Sequence, residues 1–567
     1  MKQISSLLSE KNKDYNRFII PLFIILSFIF TLPIIFSGNS LGIEDWDHHM
    51  AFLETARQSI VRYGQFPYWD PYHCGGMPLF GSPQSGIISI VFLFVLLLGT
   101  TYGVKVGIFF HFIIALSGMY LLIRHNKYSR LSSIVGSIVF SFSGVIASIT
   151  AVGMLPFIYA TYIPFVFLFL QKALESKKDY FKHSLLGGIF LALAYYGGYQ
   201  VPLITLPLII LFILTSSVKN RNIVVIFRGL IFLFAFIFFA SPKLALNIHL
   251  SNEYPRLTPG EESGYTLPNL FHFLISPVQS MPNSYLFPIK ELMDENTIYI
   301  GIASFIALWL GIKILDIRYK IVLIVAFILS LGTNTILSLY NLLKEIPFYD
   351  QFRYAQRFRF ILLVPISLAV AGGIERIKGK YRFEAILLSI FITIDLLIFS
   401  GLNLFGNAFI VRELSWPSEK TGPPEPQIKM DVNYRLIKKL NMSEDQKFFY
   451  YPWGTEYPAV KNNIATIACY ETVGYYSHNN IKDRVPVITD KDVSISYWSP
   501  NLIMLTLEKG NTPINLNMNY HSGWHASSEG QERKVVNENG LIKVERENKD
   551  KQIILKYDPY KDLFGRL

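Results

Sequence analysis

The chain has 567 residues, 51% of them hydrophobic and only 16% charged, with 45 Phe, 33 Tyr and a formal net charge of +11. Soluble domains carry about 25% charged residues, so this composition excludes intrinsic disorder and a collagenous fibre, and two cysteines cannot build a disulfide scaffold. A mean hydropathy of +0.34 fits a polytopic α-helical membrane protein, and the distribution of the basic residues speaks against a nucleic-acid partner.

A membrane helix needs about 20 mostly apolar residues. Eleven stretches come close: 18–37, 103–123, 131–150, 154–171, 183–199, 201–217, 223–241, 298–313, 320–338, 359–375 and 383–402. Residues 18–37 are too long for a signal-peptide core and read as the first anchor. Residues 87–99 are apolar but short. If they stay in the interface or re-enter, the basic clusters at 124–130, 172–182, 219–221, 313–320 and 376–382 all face the cytoplasm with the N-terminus. This parity predicts eleven spans in residues 1–402, with large outward loops at 38–102, 242–297 and 339–358.

Beyond residue 402 the composition changes. Acidic and basic residues nearly balance over 403–567, and no apolar run there has membrane length. The alternation Ile514-Asn515-Leu516-Asn517-Met518-Asn519 predicts a half-buried strand. Asn539-Gly540 predicts a hairpin turn between Val535-Val536 and Leu541–Val544, and Ile553–Tyr557 a closing strand. Gly422-Pro423-Pro424-Glu425-Pro426 reads as a linker. The expected architecture is a transmembrane domain, 1–402, followed by an extracytoplasmic β-rich domain, 403–567.

The first outward loop carries the most chemistry. Glu44, Asp45 and Asp47 follow the first span, then Phe52, Leu53, Ala56, Ile60 and Val61 recur near helical spacing. This predicts an amphipathic helix from Asp47 to Tyr63 lying on the membrane surface. Its carboxylates suit a general base or a weakly held cation. Asp47 also suits the N-cap of that helix. His48 and His49 are adjacent, cannot share one helix face, and have no further ligand spacing to make a metal site. The aromatic, Gly- and Pro-rich run from Gly64 to Pro78 predicts a fixed irregular loop, whose rings suit an interfacial belt or sugar stacking.

Acidic residues after the first span, an interfacial helix and then GQFPYWDPYHCGGMPLFGSPQSG resemble the YfhO-type family of bacterial membrane proteins, among the GT-C-like integral-membrane glycosyltransferases. QFRYAQRFRF and NLNMNYHSGWHAS, followed by the strands to Tyr557-Asp558-Pro559, fit the same family, whose members often continue into a further hydrophobic segment. The resemblance implies a polyprenyl-phosphate sugar donor used at the outer face and a cell-envelope glycan, a teichoic-acid-like polymer or a lipid as acceptor. Asp45 then matches the expected acidic position best, with Asp47 second, and its implied role is to take the proton from an acceptor hydroxyl. His48, His49, Trp69, Asp70, His73 and Glu253 are the candidate substrate contacts. No cofactor is expected, although weak Mg²⁺ or Ca²⁺ binding at Asp45 and Asp47 is compatible with their oxygens.

A phosphate leaving group must meet positive charge. The loop at 347–359 breaks the charge rule by carrying Arg353 and Arg357, with Arg359 at the next span's edge. Guanidinium forks suit phosphate oxygens. The competing reading pairs these arginines with Asp350 and Glu345 or with lipid headgroups. Lys243 and Arg256 are lesser candidates, while Glu253, Glu261 and Glu262 could supply a second acid but read first as solvated charges. Cys74 and Cys469 would both lie outside and could be bridged, though nothing in the spacing demands it. A transporter or lipid flippase would show broken matched repeats and buried mid-membrane charge, of which Asp395 is the clearest instance. A non-catalytic polysaccharide-binding scaffold is the remaining alternative. It would tolerate replacement of the first loop's acids.

Overall fold

The computed structural model describes residues 18–36, 45–254, 264–276, 293–335, 338–350, 352, 354–405, 425–428, 456–461, 463–466, 488 and 492–561. The chain divides into two compact units. The first comprises 1–38, 105–240 and 260–409, and the second 39–104, 241–259 and 410–567.

The first unit is helical. Among the described residues of the whole chain, seven helices are long and apolar enough to cross a membrane: Thr100–His125, Arg130–Ala151, Leu155–Glu175, Gln200–Asn220, Val224–Glu253, Ala355–Lys380 and Arg382–Leu402. The apolar helix Ile19–Ile35 is slightly shorter at 17 residues. The stretches 298–313 and 320–338 contain helices of only 8 and 14 residues, Ser304–Gly311 and Ile317–Ser330. Tight contacts hold the first of these against the helix Ala355–Lys380. A Cβ on Gly311 would lie 1.7 Å from the Ala369 carbonyl oxygen, and one on Gly373 would lie 1.9 Å from that of Ala307. Small residues thus let two backbones touch, as they do where apolar helices associate without help from water.

The second unit holds the β structure. Its strands are β1 (Trp69–Asp70), β2 (Met77–Pro78), β3 (Glu425–Ile428), β4 (Ile464–Thr466), β5 (Val493–Ser499), β6 (Leu502–Leu507), β7 (Ile514–Asn519), β8 (Trp524–Ser528), β9 (Gln531–Arg533), β10 (Val535–Glu538), β11 (Leu541–Val544) and β12 (Gln552–Tyr557). They form a five-stranded sheet β5-β6-β12-β8-β9, a three-stranded sheet β10-β11-β7 and two small pairs, β1-β2 and β3-β4. Ile514, Leu516, Ile503, Leu505, Ile553 and Leu555 are fully buried between the sheets' inward faces. Asn539 and Gly540 both have positive φ, 55° and 85°, which the tight two-residue hairpin requires. The expected linker ends differently, because Glu425 and Pro426 already belong to β3, which pairs parallel with β4.

The aromatic loop is fixed, as expected, but by the sheets. Asn519 donates from its backbone to the Gly75 carbonyl at 2.9 Å and from its side chain to the Gly76 carbonyl at 3.0 Å. Gly76 has φ +98°, and a Cβ there would lie 2.8 Å from the Trp69 ring and 2.9 Å from Met518. Only glycine meets both demands. Cys74 is disulfide-bonded, and the chain's other cysteine, Cys469, lies outside the described residues. Residues 90–98 form a nine-residue helix, too short to span.

Candidate functional site

The first-loop helix runs from Asp45 to Val61, and it is not the surface helix its periodicity suggests. Every residue from Trp46 to Ala56 is buried, polar ones included. Burial of Asp47, His48, Glu54 and Gln58 is tolerable because each meets a partner inside the second unit, as buried polar groups must.

Asp47 supplies the clearest case. Its two carboxylate oxygens accept the backbone N–H groups of Glu456 and Tyr457 at 2.8 and 2.9 Å. These are orphan donors in the first turn of the helix Glu456–Lys461. Asp47 therefore caps a helix, as one reading expects, but a helix 409 residues away in sequence rather than its own. With both oxygens so engaged, it is poorly placed to serve as base or cation ligand.

Around it lies a chain of buried acids and imidazoles. His48 Nδ1 contacts Glu456 Oε2 at 2.8 Å, and His73 Nδ1 donates to Asp70 Oδ2 at 2.6 Å. Asp70 Oδ1 accepts from the backbone N–H of Tyr72 at 2.8 Å, so the loop's turn fixes the carboxylate before it meets the ring. His73 Nε2 then faces Glu456 Oε2 at 4.0 Å. Burial alone would push the His73 imidazole down, but Asp70, with Glu456 and Asp47, outweighs it and holds the ring above its ordinary range. Burial likewise opposes charge on Glu456, yet His48 and His73 keep its carboxyl below the usual value. His49, buried and beside His48, is held well below the ordinary imidazole range. Glu54 is tied to Arg57 at 2.8 and 2.9 Å, to Gln58 at 3.1 Å and to Thr100 at 2.5 Å.

Asp45 is the first residue of the helix and only partly buried, whereas Asp47 and Glu54 on the same helix are buried. It lies at the positive end of the helix dipole.

Several other candidates take different places. Trp69 is fully buried in the β core, with ring centroids 5.3 Å from Trp524 and 4.8 Å from Tyr557, so it neither stacks on a sugar nor sits in an interfacial belt. A β core built on short strands recruits a large ring from the loop, and the loop's Gly and Pro content disguises this. Asp70 positions His73 and is itself fully buried, so it does not present a substrate contact. Lys243 is fully buried and donates to the Ser85 carbonyl at 2.5 Å, which is a structural staple rather than an open cation. Glu253 is not a solvated loop charge. It receives the Ser522 N–H at 3.1 Å and the Ser522 hydroxyl at 2.7 Å.

In the first unit, Arg357 pairs with Glu295, not with Asp350 or Glu345. Its Nε lies 3.1 Å from both Glu295 oxygens, Nη2 donates to Oε1, and Nη1 donates to Gln200 at 2.5 Å. The guanidinium carbon is 4.7 Å from the Phe157 ring centre and 4.8 Å from that of Tyr354. Arg359 is fully buried, with Nη2 4.0 Å from the same Glu295. Arg353, Arg256, Glu261 and Glu262 lie outside the described residues. Sequence reasoning missed Glu456 and Glu295. Both sit in stretches without periodicity, and only the fold brings them to their partners.

No protein-family model matches the sequence, and no curated protein matches it. Among solved structures, the chain is similar to the arabinofuranosyltransferase AftD from Mycobacteria, with TM-score 0.44 and 13% identity over 71% of this chain and 27% of that one. It is also similar to ArnT from Cupriavidus metallidurans bound to undecaprenyl phosphate, with TM-score 0.44 and 11% identity over 93% of this chain and 97% of that one. A third similarity is to the oligosaccharyltransferase AglB from Archaeoglobus fulgidus in complex with an inhibitory peptide and a dolichol-phosphate, with TM-score 0.42 and 11% identity over 82% and 65%. The chain thus spans about a quarter of the length of AftD.

Proposed function

We propose that the chain is a membrane glycosyltransferase that moves a sugar from a polyprenyl-phosphate donor to a cell-envelope acceptor at the outer face. What supports this reading most is the division of labour on the first-loop helix. Asp47 and Glu54 are buried, while Asp45, at the helix's positive end, is only partly buried. In the proposed step an acceptor hydroxyl oxygen attacks the anomeric carbon and its proton passes to the Asp45 carboxylate. The bond from that carbon to the phosphate oxygen breaks, and polyprenyl phosphate leaves with the bonding pair. A base that acts in the transition state contributes about 10²–10⁴-fold.

For the leaving group's charge we propose Arg357 and Arg359, which both face Glu295. Arg357 would serve a phosphate by exchanging or sharing its fork with Glu295. Charge on the leaving oxygen grows as the bond breaks, so such contacts strengthen toward the transition state.

The test is transfer itself. Full-length protein in proteoliposomes, given radiolabelled polyprenyl-phosphate sugars and a cell-envelope extract, should move label into acceptor while releasing polyprenyl phosphate. Binding of glycan by the protein with no label transferred from any donor would overturn the enzymatic reading in favour of a scaffold.

A further inference from the structure

The second unit holds another cluster that the proposed reaction does not use. His249 and Glu253 stand one turn apart near the end of the helix Val224–Glu253, on the same face. His521, on the turn before β8, closes the group. One ligand atom from each of the three lies within 4.8 Å of the others. His249 Nε2 is 3.4 Å from Glu253 Oε2, and His521 Nε2 is 3.6 Å from the same oxygen.

These spacings carry the inference. Charge-assisted N–H···O⁻ hydrogen bonds close to about 2.7–2.9 Å. Ligands bound at about 2.0–2.1 Å to one tetrahedral ion stand roughly 3.4 Å apart along each edge. The two separations fit the edge of a coordination tetrahedron better than a hydrogen bond. Two imidazole nitrogens and one carboxylate oxygen form a donor set suited to Zn²⁺ rather than to Mg²⁺ or Ca²⁺, which prefer oxygen alone.

The surroundings agree. His521 is 2% exposed. A small cavity lined by His249, His521, Leu246, Leu250, Tyr68 and Tyr557 adjoins the two imidazoles. The Ser522 hydroxyl, 3.1 Å from His249 Nε2, is the candidate fourth oxygen. A ligating histidine donates its other ring N–H to an acceptor, and the Tyr557 hydroxyl lies 3.2 Å from His521 Nδ1. The Gly523 N–H also points at that nitrogen, at 3.0 Å, and the Ser522 hydroxyl donates to Glu253 Oε2 at 2.7 Å, so loading requires both contacts to give way.

We infer that His249, Glu253 and His521 form a Zn²⁺-class site that clamps the end of this helix to the turn before β8. The experiment uses the full-length protein in detergent, stripped with chelator and dialysed against Zn²⁺ or Mg²⁺. One Zn²⁺ per chain should remain by mass spectrometry, Co²⁺ should give the visible absorption of a tetrahedral centre, and Zn²⁺ alone should raise the unfolding temperature. His249→Ala should lose the ion, and Tyr557→Phe should weaken Zn²⁺ binding about 10–100-fold, the usual effect of removing such a partner. His73→Ala, in the other histidine cluster, should keep it. Wild-type protein that retains no Zn²⁺ and gives no tetrahedral Co²⁺ spectrum would overturn the site. Retention that persists equally in His249→Ala and Glu253→Gln would do so as well.

Discussion

Replacing Asp47 by alanine separates its capping role from a catalytic one. The carboxylate accepts two backbone N–H groups, at 2.8 and 2.9 Å, from Glu456 and Tyr457. Hydrogen bonds to a charged group are worth about 1.5–3 kcal/mol each. Two lost together, with partial recovery by water, give roughly 3 kcal/mol for the local opening of the helix Glu456–Lys461. Since about 1.4 kcal/mol is tenfold, protection of these amides in hydrogen exchange should fall on the order of 10²-fold. Asp47→Asn keeps one acceptor oxygen and should lose roughly half of that free energy. Exchange measured by mass spectrometry on peptides covering 456–461 reads this directly. Unchanged exchange there in Asp47→Ala, together with abolished sugar transfer, would refute the capping role. Asp47 would then be the base.

Three further outcomes follow from the packing and charges. Trp69→Ala empties a fully buried site in the β core and should destabilise the second unit by about 3–5 kcal/mol, seen as a lowered thermal transition, and a stable variant with weakened sugar binding would restore the stacking role. Asp70→Asn should make stability relative to wild type depend on pH: a raised His73 pKa adds stability that is full below its ordinary value of about 6.5 and lost as pH rises through the folded value. The gap between the two proteins should therefore narrow as pH rises, the His49 contribution being common to both, and a gap that widens with pH would contradict the pairing. Glu295→Gln removes one partner of a buried ion pair and should cost about 3–5 kcal/mol, with Arg357→Met recovering much of it in the double variant. Thermal unfolding of the single and double variants decides, and independent, additive effects would count against the pair.

The membrane helices were legible because a hydrocarbon environment leaves only apolar runs of sufficient length. The hairpin at Asn539-Gly540 and the strands β7 and β12 were legible because turn chemistry and period-two alternation are local. Asp45 and Asp47 could be named from sequence, but their different surroundings could not. The distinction depends on Glu456 and Tyr457, whose backbone donors arrive from the far end of the chain. The first-loop helix misled for a related reason. Its polar face looked like a solvated one, and it is instead satisfied by carboxylates and imidazoles of the same unit. Arg357 stood out as a cation on the disfavoured side, yet Glu295, its partner, lies 62 residues away with no pattern to betray it.

The most direct measurement is single-turnover sugar transfer by Asp45→Asn in proteoliposomes, with donor binding measured on the same preparation. The account predicts turnover reduced about 10²–10⁴-fold with donor affinity and thermal stability close to wild type. Asp45→Asn that transfers sugar at the wild-type rate would contradict it.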